Sequence, residues 1–195
     1  MKRTYTDIIA KIETYIEKEL SEKRYHHSIY VGKMSKFLAS KFKVDEDRAY
    51  LAGISHDIAR ELDIRETNNY LLKIKNYSSE FYIKPILYHG PVGALLLKDK
   101  FNIIDPDILE SVACHSFGNA NMSILAKVVY VSDYISEDRT HIDDSYRQEI
   151  LKLDLNSMII NITNKTIKYL ESKNEIVLPE TKNMMLSLGI RNEKE

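Results

Sequence analysis

Hydrophobic residues recur at intervals of three and four along most of this chain, the spacing that places side chains on one face of an α-helix. The first stripe runs from Tyr5 to Leu20, and the second contains Val31, Met34 and Leu38. Charged and polar residues fill the intervening positions. The pattern therefore predicts two amphipathic helices at the start of the chain.

Residues that favour helix starts precede several later stripes. A third helix is expected to run to about Ala59, with Ala49, Ala52 and Gly53 on one face, where small residues permit close approach of another helix. The predicted starts are Asp45, Thr67, Gly90-Pro91, Asp105-Pro106, Ser123 and Ser145 with Gln148 as a capping box.

The second half of the chain continues the helical pattern. The segment 124–135 is apolar nearly all round and is predicted to be a central helix, whereas 116–121 is predicted to be a loop. A further amphipathic helix spans Met158 to Leu170, and a short helix is expected after Leu178-Pro179. The segment 81–88 is ambiguous between helix and extended chain, because Pro85 interrupts it.

Composition agrees with an all-α fold. The 195 residues include only six Gly and four Pro, and no linker or internal repeat divides them. The chain is long enough for one sizeable hydrophobic core. We therefore expect a single all-α domain over residues 1–195.

Charge and cysteine content narrow the function classes. The formal net charge is −1, from 28 basic and 29 acidic residues, so no global field favours nucleic acid. Cys114 is the only cysteine, which rules out an intramolecular disulfide. The first 20 residues lack the apolar core of a signal peptide, and no uncharged run suits a membrane span. We expect a cytoplasmic protein with no nucleic-acid or membrane partner.

Four histidines and two aspartates form a candidate metal-binding set. His27 shares the stripe of Val31, and His115 shares that of Val112, so both are expected to face inward. His26 points about 100° away from His27 and is expected at the rim. The full set is His27, His56, Asp57, His89, His115 and Asp133. Imidazole and carboxylate suit first-row metal ions.

Each member has an ordinary alternative when taken alone. A lone histidine such as His27 is more often a hydrogen-bonded core residue, and His89 taken alone is better explained as a turn residue. Asp133 lies on the apolar helix, where a carboxylate is costly unless it binds a metal or forms a buried salt bridge. Lys127 is the nearest cation in sequence, but it lies on the opposite side of that helix. Together, the positions favour a metal site.

Longer motifs around these residues resemble those of one protein family. The segments are RYHHSIYV at 24–31, LAGISHD at 51–57, HGPVGA at 89–94 and VSDYISEDR at 131–139. They are similar to the YqeK family of HD-domain metal-dependent phosphohydrolases, which are bacterial symmetrical diadenosine tetraphosphate hydrolases. The resemblance runs from about Tyr5 to Leu188. It implies an HD-domain helical bundle with a metal-binding core at about 22–140 and C-terminal helices at 145–192 packed on it.

The resemblance implies two first-row metal ions, with iron as the first expectation and manganese, cobalt, zinc or nickel as alternatives. His27, His56, Asp57 and Asp133 would hold one ion, and His89 and His115 the other, with Asp57 bridging. Arg60 stands where the family often has Lys, and Leu178 where it often has His.

The expected reaction cleaves diadenosine tetraphosphate into two ADP through a metal-activated water. Asp57, Arg60 and Arg139 are the expected catalytic residues. Substrate contacts are expected from Arg24, His27, Arg60, His89, His115, Ser116, Asp133, Arg139, Leu178, Pro179 and Thr181. Two other functions stay open: a nucleotidase or pyrophosphatase acting on mononucleotides, and a nucleotide sensor without turnover. The family resemblance also suggests a homodimer.

Overall fold

Helices account for all the regular secondary structure in residues 5–190, the part of the chain that the computed structural model describes. The all-α prediction is confirmed. A single-turn 3-10 helix spans Pro85–Leu87. The α-helices are α1 (Thr6–Glu19), α2 (Glu22–Phe42), α3 (Glu46–Ser55), α4 (Ile64–Leu71), α5 (Ser79–Tyr82), α6 (His89–Phe101), α7 (Pro106–Cys114), α8 (Ile124–Ile135), α9 (Asp144–Leu151), α10 (Leu155–Ser172) and α11 (Pro179–Ser187).

The apolar helix α8 lies at the centre, as its sequence predicts. It packs against α2, α7 and α10, and the side chains of Val128, Val129 and Val131 are fully buried. One connected cluster of buried apolar side chains includes members from Ile12 on α1 to Met184 on α11. Burial of these stripes provides most of the driving force for folding. None of the described helices has the length and apolar character needed to cross a membrane. The expected C-terminal bound at 192 lies outside the described residues.

Two glycines bring α2 and α3 into close contact. A Cβ atom built on Gly53 would lie 2.8 Å from the Cα of Gly32 and 2.7 Å from Oγ of Ser35. The predicted small-residue face of α3 is therefore packed against α2. This close approach matters for the site, because α2 carries His27 and His56 directly follows α3.

The third helix is shorter than its sequence predicts. It begins after Asp45, whose side chain accepts hydrogen bonds from the N–H groups of Asp47 and Arg48, but it ends at Ser55 rather than near Ala59. The ring of His56 donates to the carbonyl of Gly53, and the N–H of Ile58 donates to Ser55 O over three residues. These tight bonds replace the helical pattern, so His56 and Asp57 lie in turns after α3.

Two predicted helix starts are wrong. Asp63, not Thr67, precedes α4 and accepts from the N–H of Arg65. Asp143, not Ser145, precedes α9 and accepts from the N–H of Ser145. In both cases an aspartate earlier in the chain binds the free N–H groups first, and its charge interacts favourably with the helix N-terminus. The predicted starts at Asp105 and Ser123 are confirmed, and the ambiguous segment 81–88 forms the end of α5 and the 3-10 helix.

Candidate metal centre

The six predicted ligands come from five separate parts of the fold and meet at one place. His27 lies on α2, His89 begins α6, His115 directly follows α7, and Asp133 lies on α8. All are buried except Asp133, which is partly exposed. Three overlapping groups have ligand atoms within 4.8 Å of one another: His27–His56–Asp57, His56–His115–Asp133 and Asp57–His89–His115. His26 is exposed at the rim, as expected.

Every histidine of this cluster has its Nδ1 atom bound to an oxygen acceptor. Three of them donate Nδ1–H to the backbone carbonyl three residues earlier, and His27 donates to Oδ2 of Asp138 at 2.7 Å. The carbonyl acceptors are Gly53 for His56 at 2.7 Å, Ile86 for His89 at 2.8 Å and Val112 for His115 at 2.8 Å. This arrangement fixes the tautomer, so that each Nε2 lone pair is directed into the cluster.

The inward nitrogen atoms form two close pairs. Nε2 of His27 lies 3.2 Å from Nε2 of His56, and Nε2 of His89 lies 3.0 Å from Nε2 of His115. Facing lone pairs repel, and a cation between them turns the repulsion into attraction. The donor set of neutral imidazoles and carboxylates therefore fits first-row metal ions.

Asp57 lies between the two histidine pairs. Its Oδ1 atom is 3.1 Å from Nε2 of His89 and 3.7 Å from Nε2 of His115. Its Oδ2 atom is 3.6 Å from Nε2 of His56 and 2.9 Å from Nη1 of Arg24. The two oxygen atoms thus face different pairs, an arrangement in which one carboxylate is shared between two ions.

Asp133 contacts both the cluster and a cation. Its Oδ1 atom lies 3.0 Å from Nε2 of His27 and 3.7 Å from Nε2 of His56, and it also accepts a hydrogen bond from Nη2 of Arg139. Of the two explanations that the sequence offers for a carboxylate on this apolar helix, the salt bridge is thus formed, with Arg139 as the partner, and the same carboxylate also lies beside the cluster. Lys127 donates instead to Asn156 on α10, in agreement with its position on the opposite side of α8.

Burial and neighbouring charges keep His56, His89 and Asp57 in the protonation states that bind metals, whereas at His27 the contact with Asp133 outweighs burial and raises the pKa. Burial lowers the pKa of His56 to about 4 and also lowers the pKa of His89, so both imidazoles are neutral near pH 7. Burial alone would raise the pKa of Asp57, but the neighbouring imidazoles of His56, His115 and His89 outweigh burial and lower it well below its usual range. Neutral imidazole and ionised carboxylate are the forms that act as ligands.

Three arginines surround the cluster at the positions expected to contact substrate. Arg24 pairs with Asp57, and Arg139 pairs with Asp133 and donates from Nε to its backbone carbonyl at 3.0 Å. Arg60 donates from Nη1 to the carbonyl of Ile86 at 3.2 Å, so it borders the segment that holds His89. Oγ of Ser116 lies 3.0 Å from Nε2 of His115. The three arginines therefore form a positively charged rim beside the carboxylates of Asp57 and Asp133.

Three further residues expected to contact substrate lie at the start of α11: Leu178, Pro179 and Thr181. Leu178 is only 4% exposed and belongs to the hydrophobic core. The expected contact between its side chain and a substrate stays a prediction. Pro179 is the first residue of α11. Thr181 donates to the carbonyl of Phe117 at 2.7 Å. Thr181 therefore supports the loop that carries Ser116, and its hydroxyl is already engaged.

Asp138 is the residue that sequence reasoning missed. It is near Asp133 in sequence, but it contacts His27, which is 111 positions away. A carboxylate on the outer nitrogen of a metal-binding histidine orients the ring and raises its basicity. The only sequence signal is an acidic residue beside Arg139 in a polar segment, and several neighbours share that description.

Comparisons with known proteins agree with this geometry. The sequence pattern described as the HD domain matches residues 24–138. The bis(5'-nucleosyl)-tetraphosphatase, symmetrical, of Bacillus subtilis is 32% identical over 85% of this chain and 89% of its own length. Its Staphylococcus aureus counterpart is 29% identical over 89% and 90%.

A solved structure is similar over nearly the whole chain. It comes from Clostridium acetobutylicum and is described as a predicted HD superfamily hydrolase involved in NAD metabolism. Its TM-score is 0.83 at 30% identity, and the match covers 92% of this chain and 95% of that one. With the matched HD pattern and the buried histidine–aspartate cluster, the chain belongs to the HD-domain family of hydrolases, in the group of the symmetrical bis(5'-nucleosyl)-tetraphosphatases.

Proposed function

We propose that this protein hydrolyses diadenosine tetraphosphate symmetrically to two molecules of ADP, with two bound metal ions. The observation that carries the proposal is the position of Asp57 between two close pairs of Nε2 atoms, with its two oxygen atoms facing different histidine pairs. The names of the relatives supply the substrate class.

The donor set supports two first-row ions. One ion would be held by His27, His56, Asp57 and Asp133, and the other by His89, His115 and the shared Asp57. We propose iron, with manganese, cobalt, zinc and nickel as alternatives, because imidazole and carboxylate accept all of them. Two such ions, when bound, activate water and polarise a phosphoryl oxygen.

The arginines supply the remaining charge. A tetraphosphate chain carries several negative charges, and more charge develops on the phosphoryl oxygens in the transition state. Arg139 would orient the phosphate nearest Asp133, because its guanidinium lies beside that carboxylate. Arg24 and Arg60 lie beside Asp57 and His89, where each would pair with a neighbouring phosphate. The charges come from side chains close to the cluster, in agreement with the chain's overall charge of −1.

A large cavity beside the cluster supports a nucleotide substrate. Its volume is about 770 Å³, within the range of small-molecule sites, and its lining includes His115, Asp133 and Arg139. Inorganic phosphate would leave most of that space unfilled.

The test is anaerobic purification, metal analysis and a nucleotide panel read by product identity. We expect about two metal ions per chain and ADP as the only nucleotide product from diadenosine tetraphosphate. ATP and AMP as the main products would overturn symmetrical cleavage. Faster turnover of mononucleotides would favour the nucleotidase or pyrophosphatase alternative, and tight nucleotide binding by the metal-loaded protein without turnover would favour the sensor.

The cytoplasmic location and the homodimer are proposals. The first rests on the cysteine content and on the sequence features described above, and the second on the family resemblance. Light scattering of the metal-loaded protein tests the second, because a dimer doubles the mass of the 22.7 kDa chain.

A further inference from the structure

Two chemically different groups of residues line the cavity beside the cluster. One group contains the cluster residues His115 and Asp133 together with Arg139. The other group lies on α10, and the proposed phosphate chemistry above does not use it. A dinucleoside tetraphosphate also has two kinds of part, a charged phosphate chain in the middle and a flat, weakly polar base at each end.

The α10 wall of the cavity is one continuous helix face. Its lining positions are Ile162, Lys165, Thr166 and Tyr169, which are three, four and seven residues apart and so lie side by side on the helix. Ile162 is buried in the core, whereas the Tyr169 side chain is 62% exposed. The hydrophobic stripe of α10 therefore extends past the core, and Tyr169 presents its ring at the edge of the cavity.

Lys165 is a cation on the same wall. Its Nζ atom lies 3.4 Å from the centre of the Tyr146 ring. It makes no ion pair within 4 Å with any acidic side chain in the part of the chain that the structure describes. Asp143, a nearby acidic residue, accepts from the backbone N–H and the hydroxyl of Ser145. Lys165 thus remains available to an anion in the cavity.

We infer that this α10 face is the nucleoside subsite, in which Tyr169 stacks on the base and Lys165 pairs with the phosphate next to the ribose. The inference rests on the proposed function, because it assigns one end of that substrate. Stacking on an aromatic ring suits any base, since every base has a flat face. The subsite should accordingly accept guanosine nucleotides as well as adenosine nucleotides.

Fluorescence provides a test that does not depend on turnover. The chain contains no tryptophan, so Tyr169→Trp introduces a single reporter at the subsite. With metal-loaded protein we expect ADP to quench this fluorescence saturably and inorganic pyrophosphate to leave it unchanged. Phe37→Trp on α2 is the matched control, because Phe37 is similarly exposed at 57% but does not line the cavity. Equal responses of the two reporters to ADP, or none from Tyr169→Trp, would overturn the subsite.

Kinetics with diadenosine tetraphosphate test both residues. Tyr169→Ala should raise KM about fivefold or more, as loss of one stacking contact would, with kcat nearly unchanged. Tyr169→Phe should restore KM, because the ring is retained. Lys165→Ala should also raise KM, whereas Lys168→Ala, on the same helix but outside the cavity lining, should not. An unchanged KM in Tyr169→Ala would overturn the inference.

The two proposals fail in distinguishable ways. If diadenosine tetraphosphate is not hydrolysed but ADP still quenches the Tyr169→Trp reporter, the reaction is wrong and the nucleoside subsite stands. If hydrolysis proceeds normally, Tyr169→Trp responds to ADP like Phe37→Trp and Tyr169→Ala keeps the wild-type KM, the reaction stands and the subsite is wrong.

Discussion

The carboxylate of Asp138 accepts a hydrogen bond from Nδ1 of His27 at 2.7 Å. This contact joins the segment after α8 to α2, and it fixes the direction of the His27 lone pair. The other three cluster histidines use backbone carbonyls for the same purpose. Among the four cluster histidines, His27 is thus the one whose Nδ1–H donates to a side-chain acceptor, which a mutation can remove.

Asp138→Asn should weaken metal binding about 10- to 100-fold, as loss of such an outer contact does in metalloproteins. The amide can still accept a hydrogen bond, but it carries no charge to support the ring. Glu137→Gln is the control, because Glu137 is an exposed neighbour. Metal affinity is measured by competition with a chelator. Equal affinities in the two variants would show that Asp138 has no positioning role.

Asp57→Ala should reduce the metal content from about two ions per chain to nearly none and abolish hydrolysis, because the carboxylate is proposed to serve both ions. His27→Ala should retain about one ion, since it removes a ligand from one side only. Elemental analysis after gel filtration measures both values. Retention of the full metal content by Asp57→Ala would contradict the shared-ligand arrangement.

Arg139→Ala should lower kcat/KM by about one to two orders of magnitude, the loss expected for one charged phosphate contact. Metal content should stay near that of the wild type, because Asp133 keeps its contact with His27. Arg139→Lys should recover only part of the rate, since Lys lacks the planar guanidinium. Arg65→Ala, at an exposed position on α4, should behave like the wild type. Activity of Arg139→Ala within about twofold of wild type would show that Arg139 is not the phosphate contact.

Gly53→Ala should lower the free energy of unfolding by about 1–3 kcal/mol, because its Cβ would collide with the backbone of Gly32. Gly93→Ala should cost less, since its nearest neighbours are side-chain atoms of Ile58 and Val112 at 3.2 Å, which can move. Urea denaturation of metal-free protein measures both. A smaller effect at Gly53 than at Gly93 would contradict the proposed importance of the α2–α3 contact.

Asp105→Asn should destabilise the protein by about 1–2 kcal/mol at pH 7, because Asp105 accepts hydrogen bonds from Arg48 at 2.9 and 2.7 Å. Asparagine can still accept the hydrogen bonds from the N–H groups at the start of α7. The loss of stability therefore measures the contribution of the negative charge. Although burial opposes the shift, Arg48 lowers the pKa of Asp105 below its ordinary value of 3.8. The stabilisation is therefore complete above pH 3.8 and is lost as the pH falls through the lower folded pKa.

The control for that experiment is Asp47→Asn, because the Asp47 carboxylate pairs with Lys36 at the exposed surface. Its effect should stay below about 1 kcal/mol at any pH. Urea denaturation across acidic and neutral pH compares the two. A destabilisation by Asp105→Asn that stays constant down to acid unfolding would exclude the Arg48 pairing as its cause.

Local sequence was sufficient for the helices and for the types of ligand. The stripe of Val31 and Met34 predicted an inward His27, and the apolar run around Asp133 predicted a central helix. These features depend on helical periodicity, which acts over a few residues and can be read directly from the chain. The end of α3 was mispredicted because the His56 side chain binds the Gly53 carbonyl, a contact that residue spacing does not reveal.

Only the tertiary structure decided how the ligands are arranged. The pairing of Asp138 with His27, the two-sided position of Asp57 and the placement of Tyr169 at the cavity each join elements far apart in sequence. Such relationships depend on how closely helices pack, as at Gly32 and Gly53, where tenths of an ångström matter. Sequence periodicity specifies which face of a helix is buried, but the distances between side chains on different helices are set by packing in the folded protein.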